Sequence, residues 1–149
     1  MISKLVLLAI FAISSFSKSD FFDVIAHGKK TEIDSFLTKI NAEKSTNSQQ
    51  AYLGALKMKS ADYQKTPKEK LAIFKEGKAL LEKSITADSD NTEFRFLRLI
   101  IQENVPKMLK YNSNVKTDAT FVKTNFDKLP SEVKSAAIDY SKKSSNLKL

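Results

Sequence analysis

Asn91, Arg95, Arg98 and Gln102 stand four, three and four residues apart, so on one helix they form a single polar stripe. Its chemistry rests on two arginines, which are the only two among 25 basic residues. A guanidinium presents its donors as a planar fork that meets a carboxylate bidentately. The stripe could therefore clamp an acidic side chain or the C-terminus of a partner. The same arginines could instead pair inside the chain, with acids on neighbouring helices such as Glu76 or Glu82, and fix the packing.

The other reactive residues offer less. Asp88-Ser89-Asp90-Asn91-Thr92-Glu93 has the acidity of a calcium loop, but Glu93 stands where that loop needs glycine and Leu99 where it needs its last acid. His27 is the only histidine and cysteine is absent, which leaves no zinc-ligand set and no thiolate nucleophile. His27 sits just before Gly28, where a helix end suits an imidazolium. The chain has no Gly-x-Ser-x-Gly elbow and no glycine-rich phosphate loop. Its acids alternate with lysines, as in Asp62 to Lys70 and Glu76 to Lys83, the pattern of surface ion pairs on helices. No cofactor, metal ion or enzymatic activity is expected.

The net charge of +8 comes from lysines scattered among acids, not gathered in one block. Scarce arginine and scattered lysine argue against specific nucleic-acid recognition. A weak attraction to anionic membranes or polymers fits the charge.

The N-terminus points to export. Lys4 precedes an unbroken nine-residue apolar run from Leu5 to Ile13, followed by Ser14-Ser15-Phe16-Ser17. A positive start, a short apolar core and small residues at the third and last positions before a cut after Ser17 describe a secretory leader. The run is too short to cross a bilayer, which takes about 20 residues as a helix. Residues 1–17 are thus expected to be a signal peptide of the Sec pathway, and 18–149 a single exported domain, periplasmic or secreted, with no transmembrane span after cleavage. Losing Lys4 would lower the charge to +7.

What must position the stripe is a set of helices. Sustained apolar/polar alternation and hairpin-turn dipeptides are missing. Asp20 to Ala26 buries Phe21, Phe22 and Ile25. Thr31 is placed to cap a second helix carrying Ile33, Phe36, Leu37 and Ile40 on one face, and Asn47 with Gln50 to open a third with a small face of Ala51, Gly54, Ala55 and Met58. Thr66-Pro67-Lys68-Glu69 is the clearest helix start, with a cap, a first-turn proline and a capping-box acid. Gly77 lies inside that helix, where it costs about 1 kcal/mol against alanine, so a close-packed neighbour is expected there, with Gly54 and Ala55 as its natural partner. Asp90 and Glu93 read as a further capping box for Phe94 to Ile101, which is apolar nearly all round and should be central. Pro106 forces a break or kink near Asn104-Val105. A helix with Phe121, Val122 and Phe126 comes next, and Pro130 starts the last, with Val133, Ala136, Ala137 and Tyr140. The polar tail from Ser141 is expected to fray.

From Ala51 to Arg98, with small residues facing across two helices and the boundary Ile85-Thr86-Ala87-Asp88-Ser89-Asp90-Asn91, the chain resembles a tetratricopeptide-type helical hairpin. Glu93-Phe94-Arg95-Phe96-Leu97-Arg98, Gln102-Glu103-Asn104-Val105-Pro106 and Leu109-Lys110-Tyr111 resemble small exported all-helical proteins of Bacteroidetes, a family that brings no known activity. The resemblance implies an all-α bundle or short array of about five to seven antiparallel helices, with a tetratricopeptide-like hairpin in the middle.

Together these readings lead to a non-enzymatic module that binds a protein or peptide in the cell envelope or outside the cell. The alternative is a carrier or sensor of a small apolar or acidic ligand. The candidate binding residues are Asn91, Arg95, Arg98 and Gln102.

Overall fold

The computed structural model describes residues 16–149. The expected leader lies outside the described residues except for Phe16 and Ser17. The fold is all-α. Seven α helices occur among the described residues: α1 Lys18–His27, α2 Lys30–Ala42, α3 Asn47–Ser60, α4 Pro67–Ala87, α5 Thr92–Asn104, α6 Val115–Thr124 and α7 Ser131–Ser141. None is long and apolar enough to cross a membrane.

Helices α1, α3, α4 and α5 each start where a side-chain oxygen reaches the backbone N–H three residues onward. Thr66 accepts from Glu69 N at 3.2 Å and Glu69 returns a carboxylate to Thr66 N at 3.0 Å, the full reciprocal box. Elsewhere the cap shifts. Thr46, not Asn47, caps α3 through Gln49 N, and α2 begins before Thr31 because Glu32 takes Lys29 N at 2.7 Å. Asn91 caps α5, accepting from Phe94 N at 3.1 Å, which frees Glu93 from the expected box.

Helices α3 and α4 pack antiparallel with their backbones nearly touching. Asn47 and Ser84 exchange side chain-to-carbonyl bonds of 3.1 Å, and Lys57 meets Glu76 at 2.9 Å. Between these contacts Gly54 faces Gly77, and a Cβ on either would lie 2.5–2.6 Å from the other's carbonyl oxygen. The glycine pair is what permits this approach.

The third layer is α5, buried on nearly every side, from Thr92 and Glu93 through Phe94, Phe96 and Leu97 to Ile101 and Gln102. Phe96 stacks on Phe22 of α1 with ring centroids 5.0 Å apart and meets Tyr140 of α7 edge-on at 5.8 Å. One ring thus joins the first and last helices to the centre.

The C-terminal tail is docked, not frayed. Leu147 is fully buried and Ser144 nearly so. Glu103 of α5 draws them in: its carboxylate accepts from Tyr140 Oη at 2.5 Å, Ser144 Oγ at 2.9 Å and Asn146 Nδ2 at 2.6 Å. A charged acceptor satisfied by several donors anchors a segment whose own composition reads as mobile.

Candidate functional site

Because α5 is central, its two arginines look onto α6, and one acid there takes bonds from both. Asp118 of α6 is completely buried between the two arginines. Arg98 grips it with Nε to Oδ2 at 2.6 Å and Nη2 to Oδ1 at 2.9 Å, and sends Nη1 to Glu82 of α4 at 2.9 Å. Arg95 adds Nη1 to Asp118 Oδ1 at 3.1 Å, caps the carbonyl of Ser89 through Nε and Nη2, and lies over the Phe121 ring. Burial works against the Arg98 charge, but the hydrogen bonds and charge of Asp118, helped by Glu82, outweigh it and raise its pKa. Tyr111 donates to Glu82 Oε1 at 2.6 Å, and burial together with that bond pushes its phenol well above the ordinary range.

The two ends of the stripe are also occupied. Asn91 caps its own helix and donates to Asp88, while Gln102 exchanges two hydrogen bonds with Asn114, donating to Oδ1 at 3.2 Å and accepting from its backbone N at 3.0 Å. The structure therefore brings Arg95 and Arg98 together on one internal carboxylate, that of Asp118, while Asn91 and Gln102 are engaged apart from it by Asp88 and Asn114. Glu82 was a foreseeable partner; Glu76 pairs with Lys57 instead. Asp118 was not foreseen, although its spacing from Val115 and Val122 places an acid on the buried face of α6.

Glu93 is the other buried acid. Its Oε2 meets Lys18 Nζ at 3.0 Å, and its Oε1 has no hydrogen-bond partner among the described residues. Burial raises its pKa, and Lys18 only partly opposes this. A raised carboxyl binds its proton more tightly folded than unfolded, so its contribution to stability is full below the unfolded value and is lost as pH rises through the folded one. Glu93→Gln is therefore expected to exceed the parent in stability at neutral pH, with the gap closing on acidification through the carboxylate range. Urea unfolding at a series of pH values checks this; a gap that widens in acid contradicts it.

Among the described residues no three His, Cys, Asp or Glu side chains gather as a metal site. A polar cleft of about 620 Å³ beside Glu103 is lined by the tail, but Glu103 is already filled by the donors that dock it. A different surface remains open.

That surface is an apolar groove of about 510 Å³ between α3, α4 and the segment after α5, floored by Met58, Phe74 and Ile101 and edged by Leu71, Met108 and Leu109. Pro106 has no N–H to continue a helix, so α5 stops at Asn104 and the chain turns through a single 3₁₀ turn, Lys107–Leu109. Lys110 closes that turn at φ 49°, a left-handed conformation that costs a side-chain-bearing residue about 1 kcal/mol. The turn holds Met108 out with 85% of its surface exposed, and Leu71 across the groove is 42% exposed. Lys59, Lys70 and Asp62 line the polar edge, and Lys59 lies 3.8 Å from Asp62, leaving Lys70 as the excess charge.

No family model, curated protein or solved structure matches this chain.

Proposed function

We propose that the protein is an exported, non-enzymatic binding module that seats one apolar face of an acidic amphipathic segment from a protein partner in this groove. The observation that carries the reading is Met108, held almost fully in solvent beside an apolar floor by a turn with a strained closing residue. Exposed methionine is adaptable and suits a surface that repacks on a partner helix. Lys70 on the edge, within a chain of net charge +8, favours acidic flanks on the occupant. The arginine stripe serves a different role, as the buried tie between α4, α5 and α6 that keeps the groove's floor in place.

A photo-reactive residue at position 108 of the full chain, irradiated in its own cell envelope, tests the reading. The expected product is a cross-link to a segment apolar on one face and acidic beside it, lost when Leu71→Glu is added. That change lies on the surface, where substitutions usually shift stability by only about 0.5 kcal/mol. A small lipid-like molecule retained in the groove in native mass spectra, with no protein cross-link, would instead support a carrier.

A further inference from the structure

We propose that cleavage of the leader after Ser17 opens a site for the C-terminal end of a peptide whose next-to-last side chain is aromatic. The inference rests on the export reading and is independent of the groove.

Before cleavage Phe16 fills the place itself. Its ring meets Phe36 edge-on at 5.6 Å, and lies 5.8 Å from Phe21 and 5.9 Å from Tyr52. Three rings around a fourth, all within attractive range, form a recess shaped for one aromatic side chain. All three wall residues are buried in the structure that includes Phe16. Tyr52 keeps its buried Oη without a hydrogen-bond partner among the described residues. Ser17 joins Phe16 to α1, its carbonyl accepting from Phe21 N at 3.0 Å and its Oγ from Asp20 N at 3.3 Å.

Hydrolysis by the export pathway's leader peptidase adds water across the Ser17–Lys18 amide. It leaves a carboxylate on Ser17, which departs with the leader, and an α-ammonium on Lys18. That new terminus is already held: Lys18 N lies 3.2 Å from Glu132 Oε2 and its Nζ 3.0 Å from Glu93 Oε2. The contact with Glu132 becomes an ion pair, so α1 stays seated while the aromatic recess empties. What the departing residues leave unsatisfied is an aromatic slot and the N–H groups of Asp20 and Phe21, beside an ammonium that has donors beyond the one Glu132 takes. A peptide ending in an aromatic residue, a small residue and a free carboxylate supplies all three complements.

The test compares protein recovered from an exporting host with full-length chain made without export. Intact mass comes first: a start at Lys18 is expected. The probe is the tetrapeptide Ser-Ser-Phe-Ser with a free C-terminal carboxylate, compared by calorimetry with Ser-Ser-Ala-Ser and with the C-terminal amide. The processed protein should bind the phenylalanine peptide at least about tenfold more tightly than the alanine peptide, with the amide weaker, and the full-length chain should bind neither. Equal or absent binding of the two peptides by protein starting at Lys18 overturns the site while leaving export standing. An exported protein that keeps Phe16 overturns the site by showing the recess permanently filled. A full-length mass from the exporting host overturns the export reading and the site with it.

Discussion

Replacing Asp118 with alanine is expected to lower the unfolding free energy by about 3–5 kcal/mol, the usual cost of removing one partner from a buried ion pair. The magnitude reflects the charges that the substitution strands. Arg98 is 4% exposed and would lose two of its three charge-assisted bonds, keeping only Glu82, while Arg95 would lose its one carboxylate. Asp118→Asn, which keeps the shape and an acceptor, should fall between the two. Urea denaturation followed by circular dichroism gives the numbers. A loss below about 1 kcal/mol for the alanine variant would mean that Arg98 reaches water easily, as exposed ion pairs do.

Gly77→Ala should destabilise by about 1–3 kcal/mol, against a helix propensity that favours alanine by about 1 kcal/mol. The sign is the informative part. The added methyl would lie 2.5 Å from the Gly54 carbonyl oxygen and 2.8 Å from Met58 N, both backbone atoms of a packed helix that cannot swing aside. Helices α3 and α4 would have to part, loosening the Lys57–Glu76 and Asn47–Ser84 contacts at either side. Gly54→Ala should behave alike, since its methyl would lie 2.6 Å from the Gly77 carbonyl. The double variant should cost less than the sum, because the first methyl already separates the helices. Thermal and urea unfolding decide it, and a gain in stability for Gly77→Ala would contradict the close crossing.

Much of this fold is legible along the chain because it rests on local signals. Thr66-Pro67 with Glu69 announces α4, the apolar circumference of Phe94 to Ile101 announces a central helix, and the pairing of Gly54 with Gly77 follows from a glycine that would otherwise weaken its helix. That Arg95 and Arg98 share a face is equally legible from their spacing. The acid that meets that face is not, since Asp118 arrives from a helix 20 residues beyond Arg98. A single acid among the apolar positions of α6 is its only trace in the sequence. The tail escapes for a related reason. Ser144, Asn146 and Leu147 look like a fraying end until Glu103, 41 residues earlier than Ser144, supplies the acceptor that holds them. The groove has no linear signature, because its lining comes from α3, α4, the end of α5 and the turn after Pro106.

The central claim is that partner binding belongs to the groove and structural tying to the arginine stripe. Recovery of the protein from its source cells and their medium, with co-purifying proteins identified by mass, tests this most directly in two variants, Leu71→Glu and Arg95→Ala, each confirmed as folded. The account expects the partner to vanish with Leu71→Glu and to persist with Arg95→Ala. A partner that persists with Leu71→Glu and vanishes with Arg95→Ala would contradict it and return the docking site to the stripe.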